Sequence, residues 1–196
     1  MTVPDNLDDI AADIWSRLAG AAAGARSAWH TPVVGTADGD LRVMVLRHTD
    51  PATASLRFHT DARSPKAARI GGAAPVSLLF YDAAAKLQLR CAGTGSVTST
   101  GATADAAWAA SALSSRRCYL TALAPGTTSE LPTSGMSAAV AGRVPTLDES
   151  EAGRAHFALI TVALTRIDWL FLAHDGHCRA LFERSGEGWT ARWLVP

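Results

Sequence analysis

The sequence predicts a mainly β protein, an antiparallel barrel with peripheral helices. Two observations predict this class: about eight short segments are rich in Val, Leu, Phe and Thr, and turn signals separate them at hairpin-like spacing. The stretch Ala37-Asp38-Gly39-Asp40 is such a turn. We expect one domain, residues 1–196, because this length is ample for a single packed core.

Residues 5–24 predict an amphipathic N-terminal helix that Asp5 can cap. Its apolar side chains recur at three- and four-residue steps: Leu7, Ile10, Ile14 and Leu18. A short helix should begin at Pro65, because serine at position 64 is a good N-cap and proline a good first helical residue. Two further helices are expected over residues 101–124 and 148–156.

The strands follow a different pattern, with β-branched and aromatic residues between turn signals. In chain order they are predicted at residues 29–36, 41–49, 55–60, 76–81, 87–98, 158–172, 177–184 and 188–194. The long segment 158–172 should bend or break near Thr165. Gly93 lies within a strand, which indicates a bulge or close packing. Residues 125–146 predict a long loop, and loops of that length are usually functional or mobile.

Composition excludes several classes of protein. Lys and Arg together number 18 and Asp and Glu 18, and this neutrality argues against a general nucleic-acid binder, which needs a basic surface. No apolar run approaches the ~20 residues of a membrane span, and the acidic N-terminus lacks the regions of a signal peptide. Cys91, Cys118 and Cys178 have no CxxC spacing, so we expect reduced thiols in a cytoplasmic protein.

The usual catalytic signatures are missing from the sequence. It has no P-loop, no Gly-x-Gly-x-x-Gly after a strand, no His-Glu-x-x-His and no Gly-x-Ser-x-Gly. The histidines show no strong metal spacing, so no metal is expected. His174 and His177 straddle a turn and are more simply interpreted as solvated side chains.

Three segments carry polar groups suited to binding a ligand. Arg42 and Arg47 end one predicted strand, where solubility alone would also explain them. Lys66 adds a charge to the N-terminus of the predicted short helix, where N–H groups and the helix dipole favour an anion, although an ordinary capped helix has the same pattern. Gln88, in an otherwise apolar strand, faces solvent or offers an amide to a heterocycle.

The order of these pieces resembles the pyridoxamine 5'-phosphate oxidase family. The segments that carry the resemblance are Arg42-Val-Met-Val-Leu-Arg47, Phe58-His-Thr60, Ser64-Pro-Lys66-Ala67, Pro75-Val-Ser-Leu-Leu-Phe80 and Leu87-Gln-Leu-Arg-Cys-Ala-Gly93. Arg179 follows ten residues after Trp169, and the chain closes with Trp193-Leu-Val-Pro196. The resemblance covers about residues 26–196 and is strongest over 41–98 and 166–196.

This resemblance implies an FMN-binding split barrel of antiparallel Greek-key type, working as a homodimer with FMN in a cleft between the subunits. It implies FMN contacts by Arg42, Val43, Met44, Val45, Arg47, His59, Thr60, Ser64, Lys66, Gln88, Ser129, Trp169 and Arg179. FMN carries about two negative charges on its phosphate. Pro65 stands where the family has a phosphate-binding Arg, a loss for which Arg63 could substitute.

The residues that would contact a substrate depart from the family pattern. Arg116 and His177 match substrate contacts of the family, but Asp175 replaces an Arg there and would repel a phosphate dianion. The resemblance therefore implies an FMN-dependent oxidoreductase with an unknown organic substrate other than pyridoxamine 5'-phosphate. The alternatives are a flavin- or haem-binding module without redox turnover, with His174 and His177 as axial ligands, a deazaflavin protein, and a barrel without ligand.

The balanced charges conceal a predicted local concentration. Five basic residues fall in segments that the resemblance directs towards one cleft: Arg42, Arg47, Arg63, Lys66 and Arg179. We therefore expect a locally positive pocket on a neutral dimer.

Overall fold

The computed structural model describes residues 5–186 and 188–196. Residues 1–4, part of the acidic N-terminus that lacks signal-peptide features, lie outside the described residues. The chain folds into two compact units. The sheet unit comprises the described residues up to Phe58, Ala73–Ser96 and the described residues from Thr161 onwards; the helical unit comprises His59–Gly72 and Val97–Ile160. The expected single domain over 1–196 stays a prediction.

Nine strands form a mostly antiparallel sheet within the described residues. In chain order they are β1 (Val33–Thr36), β2 (Leu41–Val43), β3 (Leu46–Asp50), β4 (Ser55–Asp61), β5 (Ala74–Asp82), β6 (Leu87–Thr98), β7 (Phe157–Phe171), β8 (Cys178–Ser185) and β9 (Gly188–Leu194). Their spatial order is β2-β1-β5-β6-β7-β4-β3, and β8 pairs with both β7 and β9. The predicted mainly β class is confirmed.

Two predicted strands needed correction. Over 29–36, Ala28–His30 forms a 3-10 helix that the Ser27 side chain caps, and the strand begins only at Val33. The predicted strand 41–49 is interrupted at Met44 and Val45. The reason is a change of pairing partner, because β2 pairs with β1 whereas β3 pairs with β4 at the other end of the strand order.

The predicted N-terminal helix is present as α1 (Leu7–Ala23). Asn6 rather than Asp5 caps it, with Oδ1 accepting from the N–H groups of Asp8 and Asp9 at 2.8 and 3.4 Å. The buried face, which packs against β3, consists of Ile10, Ile14, Leu18 and Ala21. Each of the three large apolar side chains on this face stabilises the fold by about 1.5–3 kcal/mol.

The helical unit contains α2 (Pro65–Ile70), α3 (Ala102–Ala109), α4 (Leu113–Arg116) and α5 (Leu147–Glu151). The predicted helix 101–124 is therefore broken after Ala109, where the Ser111 hydroxyl donates to the Ala107 carbonyl and competes with helical bonding. The predicted helix 148–156 becomes α5 and a 3-10 turn, Arg154–His156. The core of this unit stacks Trp108 and Tyr119 against Phe157, with ring centroids 5.3 and 5.2 Å from the Phe157 ring.

Two features of β6 and β7 position the site. A Cβ at Gly93 would lie 2.2 Å from the Ala163 carbonyl oxygen, so the predicted close packing at this glycine is confirmed. Strand β7 runs unbroken past Thr165, but Thr165 and Arg166 are exposed in succession. Arg166 and Asp168, two residues apart after this shift, lie on one face of the strand.

None of the helices in the described ranges combines the length and apolarity that crossing a membrane requires.

Candidate functional site

Three arginines surround the carboxylate of Asp168 in the sheet unit. Arg179 donates twice, from Nε to Oδ1 at 3.0 Å and from Nη2 to Oδ2 at 2.8 Å. Arg90 Nη2 donates to Oδ2 at 2.6 Å, and Arg166 Nη2 lies 3.7 Å from the same oxygen. The Asp168 side chain is only 4% exposed. Three positive charges thus face one negative charge.

The strand order assembles this arginine cluster from distant parts of the sequence. Arg90 lies on β6 and Asp168 on β7, 78 residues apart in sequence. Arg179 lies on β8, opposite Leu170 in the β7–β8 ladder. Leu170 shares a face with Asp168, so the pairing turns the Arg179 side chain towards that carboxylate.

A cavity of about 410 Å³ adjoins the cluster. Its lining residues are Val33, Gly35, Leu41, Ser77, Leu78, Leu79, Arg90, Cys91, Ala92, Arg166, Asp168 and Arg179. Apolar side chains therefore form most of the wall, and charged groups are confined to one end. Ligand sites in proteins commonly combine apolar walls with a few polar groups and measure about 300–1,000 Å³.

The apolar wall is built from neighbouring strands in register. Val33 of β1 lies opposite Val43 on one side and Leu79 on the other, and Leu79 lies opposite Arg90. In the next row, Gly35 leaves room for Leu41, since a Cβ at Gly35 would lie 2.9 Å from Leu41 Cδ2. Leu41 and Val43 are 67% and 64% exposed, so this part of the sheet presents apolar surface to solvent.

The charges of the cluster fix the protonation of its neighbours. Burial by itself would raise the pKa of Asp168, but hydrogen bonds from Arg179 and the charge of Arg90 outweigh it and lower that pKa. Asp168 is therefore ionised at neutral pH. Burial, assisted by the Asp168 charge, raises the pKa of the Cys91 thiol far above its usual range. Cys91 is consequently a protonated thiol rather than a nucleophile.

Among the residues predicted to contact a flavin ring, Arg179 lines the cavity. Gln88 lies two residues before Arg90 on β6 and opposite Tyr81, on the same face as the cluster but outside the cavity lining. Trp169 lies opposite Ala180, on the other face of the β7–β8 ladder, where it is fully buried and stacks on Phe171. The implied pair Trp169 and Arg179 therefore points to opposite sides of the sheet.

The Trp169 indole is a donor without an acceptor. Its Nε1 is buried and has no hydrogen-bond partner among the described residues. An unsatisfied buried N–H costs roughly 1–3 kcal/mol. Because Trp169 is buried on the face of the ladder away from the cavity, a ligand in the cavity does not reach this atom.

The predicted segment from Arg42 to Arg47 lies beside the cavity and contributes none of its five predicted contacts to the lining. Arg42 turns to the opposite face, where it donates to Thr36 Oγ1 at 3.2 Å and pairs with Asp40. Met44 is buried, Val45 is half-buried, and Val43 and Arg47 are exposed.

The predicted phosphate contacts lie together in the helical unit. The Thr60 and Ser64 hydroxyl oxygens are 3.3 Å apart, and both side chains are buried. Ser64 caps α2 as predicted, accepting from the Ala67 N–H at 3.4 Å. Lys66, in the first turn of α2, is half-buried. His59 packs edge-on against Phe157, with ring centroids 4.8 Å apart.

Arg63 is committed to other partners. Its Nε and Nη2 donate to the two Asp61 carboxylate oxygens at 3.0 and 2.7 Å, and its Nη1 donates to the Thr121 carbonyl at 3.0 Å. Burial would raise the pKa of Asp61, but the hydrogen bonds and charge of Arg63 lower it. Arg63 therefore links Asp61 to Thr121. It does not evidently replace the Arg that the resembled family has at the position of Pro65.

Arg116, a predicted substrate contact, is an interior residue of the helical unit. Its side chain is 5% exposed, and Nη1 donates to Glu151 at 2.6 Å and to Ser150 Oγ at 3.2 Å. The remaining nitrogens donate to backbone carbonyls, and the guanidinium lies 4.7 Å from the Trp108 ring centroid. With its donors used in this way, Arg116 braces the fold, and we leave it out of the proposed site.

The remaining predicted contacts are exposed. Ser129, on the long loop, donates its hydroxyl to the Leu131 carbonyl at 2.7 Å. His177 is exposed in the β7–β8 turn, where His174 and Asp175 form a pair at 3.1 Å in open solvent. Across residues 5–186 and 188–196, no three His, Cys, Asp or Glu side chains are arranged to hold a metal ion. The three cysteines are free thiols.

Sequence reasoning missed three members of the cluster, namely Arg90, Arg166 and Asp168. Each stood inside or beside a recognised segment without a role assigned to it. A usable signal was the alternation itself, because Arg166 and Asp168 are two residues apart on a strand and share one face. Two charged residues on one face of an otherwise apolar strand indicate a candidate functional site.

Comparisons with known proteins identify the fold. No protein-family model matches the chain, and no curated protein matches it. A pyridoxamine 5'-phosphate oxidase-related, FMN-binding protein from Nostoc punctiforme is similar over 100% of both chains, with a TM-score of 0.67 and 20% identity. PhzG from Burkholderia lata, in complex with tetrahydrophenazine-1-carboxylic acid, is similar over 98% of this chain and 94% of PhzG, with a TM-score of 0.66 and 16% identity.

A general stress FMN/FAD-binding protein from Xanthomonas citri is also similar, over 83% of this chain and 88% of its own, with a TM-score of 0.52 and 14% identity. The chain therefore has the FMN-binding split-barrel fold. Within that fold, its structural neighbours include the pyridoxamine 5'-phosphate oxidase-related proteins and general stress proteins, which confirms at the level of fold the resemblance drawn from the motif order.

Proposed function

We propose that this chain is an FMN-dependent oxidoreductase, a cytoplasmic homodimer with FMN at the subunit interface and an organic substrate other than pyridoxamine 5'-phosphate. The observation that carries the proposal is the fold, whose neighbours are described as FMN- or FMN/FAD-binding proteins, together with a cavity in the sheet unit that leaves room for a substrate. Arg179, one of the predicted flavin contacts, lines that cavity.

Each unit, taken by itself, carries donors of a kind that flavins bind. In the sheet unit, the apolar cavity walls suit a flat ring system, of the flavin or of the substrate beside it. Arg179 and Gln88 are donors for ring carbonyls on the cavity face.

In the helical unit, the adjacent Thr60 and Ser64 hydroxyls and the Lys66 ammonium suit a phosphate. Bound FMN would supply electron transfer, while the residues that contact it would bind and orient it.

Two positions argue against pyridoxamine 5'-phosphate as the substrate. Asp175, which stands where the resembled family has an Arg, is 99% exposed and would repel a phosphate dianion. The Arg116 guanidinium is occupied inside the helical unit. A substrate without a phosphate at that position agrees better with both residues.

Titration with FMN and with riboflavin tests the cofactor and its phosphate contact together. The wild type should quench the fluorescence of both flavins and bind FMN more tightly, because only FMN carries the phosphate. Lys66→Ala should weaken FMN binding by about tenfold and leave riboflavin binding almost unchanged, since a charge-assisted contact contributes about 1.5 kcal/mol.

Lys86→Ala is the matched control, because Lys86 is the only other lysine and lies exposed in the turn before β6. It should leave both affinities unchanged. A purified protein that is colourless and binds neither flavin would contradict the proposal. If no screened substrate reduces the bound flavin, the protein is a flavin-binding module rather than an enzyme. If the protein prefers a deazaflavin, the deazaflavin replaces FMN as its cofactor.

A further inference from the structure

We propose that the arginine cluster binds the acidic group of an organic oxyanion ligand whose apolar body lies in the adjoining cavity. Arg90 and Arg166 are the anion-binding residues, and Asp168 is the positioning residue that holds the cluster together. Naming this ligand as the substrate rests on the proposed function, whereas the binding site stands on the cavity and its charges alone.

The cluster retains positive charge after its internal pairing. Three guanidinium groups surround the single Asp168 carboxylate, so the cluster keeps an excess of positive charge. Like charges gathered on one sheet face repel one another. An oxyanion bound there would remove this repulsion, and partial burial would make its attraction stronger than at an open surface.

The cluster also has hydrogen-bond donors to spare. Each guanidinium offers five N–H groups in a fixed plane that matches the two oxygens of a carboxylate. Arg179 uses Nε and Nη2 on Asp168, Arg90 uses only Nη2, and Arg166 makes a 3.7 Å ion pair without a hydrogen bond. Within the described ranges, the remaining donors of Arg90 and Arg166 have no protein acceptor.

The arginine side chains of the cluster differ in how far they are exposed. The Arg90 and Arg166 side chains are 49% and 47% exposed, whereas that of Arg179 is 24% exposed and Asp168 is buried beneath them. Arg90 and Arg166 are therefore the arginines that a ligand in the cavity can reach. Asp168 fixes Arg179 by a two-bond contact and Arg90 by one, which orders the cluster before a ligand arrives.

The cavity walls indicate what the rest of the ligand is. Val33, Leu41, Leu79 and Ala92 line the cavity beyond the charged end. A volume of about 410 Å³ accommodates a ligand of two or three fused rings. The matching chemical class is a flat apolar molecule with one carboxylate or phosphate at its edge.

The other candidate for this cavity is the flavin ring itself, with Arg179 as its contact. The two occupants differ in what Arg90 and Arg166 do. A neutral ring edge needs donors but no second and third positive charge, whereas an oxyanion uses those charges directly. Removing one charge from either arginine therefore separates the two.

The test is calorimetric titration of the protein, with and without bound FMN, using 2-naphthoate, 2-naphthyl phosphate and the uncharged 2-naphthamide. We expect both anions, or one of them, to bind at least about tenfold more tightly than the amide, which is about 1.4 kcal/mol. The preferred anion identifies the acid group. FMN should not compete with it.

Arg90→Gln and Arg166→Gln should each weaken the preferred anion by about tenfold or more and change FMN affinity by less than about threefold. Arg26→Gln is the matched control, because Arg26 is an exposed arginine of the same unit outside the cavity lining. Size-exclusion chromatography should give the same oligomeric state for all three variants and the wild type.

Equal binding of the anions and the amide would overturn the inference. So would parallel loss of FMN and anion in the Arg90 and Arg166 variants, or competition between FMN and the anion, since either would place the flavin ring in the cavity. A changed oligomeric state in those variants would assign the cluster to subunit contact instead. Anion binding in a protein that binds no flavin would uphold the site while removing the proposed function.

Discussion

The arginines of the two units differ in how many of their hydrogen-bond donors have partners inside the protein. In the helical unit, Arg63 and Arg116 are fully occupied by carboxylates, hydroxyls and backbone carbonyls. In the sheet unit, Arg90, Arg166 and Arg179 share one carboxylate and keep many donors unused. A guanidinium whose donors are all met inside the protein braces the fold, whereas a guanidinium with donors left over is available to a ligand.

The largest effect that would test this comparison is expected for Arg116→Ala. The change leaves the carbonyls of Trp108, Ser111 and Ala109 without their donor and empties a buried site. We expect the free energy of unfolding to fall by about 3 kcal/mol. Urea denaturation measures it, with Arg143→Ala as the control, because Arg143 is an exposed ion-pair partner in the same unit.

The control should change stability much less than Arg116→Ala does. If Arg116→Ala were as mild as the control, Arg116 would regain its place as a candidate substrate contact.

An intermediate effect is expected for Asp168→Asn, which removes the charge that the three arginines share. We expect a loss of about 1–3 kcal/mol in the free energy of unfolding at pH 7. Because the pKa of Asp168 is lowered in the folded protein, its contribution is complete above the unfolded-state value of about 3.9. It is lost as the pH falls through the lower folded-state value.

Urea denaturation of wild type and Asp168→Asn between pH 7 and pH 3 measures that dependence. The difference between the two proteins should be constant from pH 7 to about pH 5 and shrink below about pH 4. A difference that grew on acidification would show that Asp168 is not held ionised by its arginines.

The smallest effect is expected for Arg166→Gln in the absence of ligand. Its side chain is half exposed, and its 3.7 Å contact with Asp168 is opposed by repulsion from Arg90 and Arg179. We expect a change in the free energy of unfolding within about 0.5 kcal/mol in either direction. The same denaturation experiment measures it. A loss in the free energy of unfolding close to that of Arg116→Ala would show that Arg166 also stabilises the fold. The arginines of the two units would then not differ in role.

The sequence predicted the elements that depend on local pattern. Strands over 87–98 and 188–194 begin and end where alternation and turn residues place them, and Gly93 marks close packing as expected. Local pattern failed over 41–49, because the chain changes its pairing partner there from β1 to β4, and alternation alone does not reveal with which strand a segment pairs.

The candidate site was only partly predictable for a different reason. Arg179 was found by its spacing from Trp169, but the Arg90–Asp168 contact joins residues 78 apart and exists only because of the strand order. Arg116 looked like a ligand contact because the sequence does not show whether a guanidinium has internal acceptors. The satisfaction of donors is a property of the fold, and it decides between the two kinds of arginine.

The buried thiol of Cys91 has a consequence for measuring motion in this fold. Cys118 is exposed, whereas Cys91 sits in β6 against the cavity. A thiol reagent therefore modifies the exposed Cys118 and the partly exposed Cys178 directly, and Cys91 only when β6 opens locally and its thiol ionises. The rate at Cys91 relative to that at Cys118 reports the free energy of that opening event. The modification rate of Cys91 therefore measures local opening of the strand that carries Arg90.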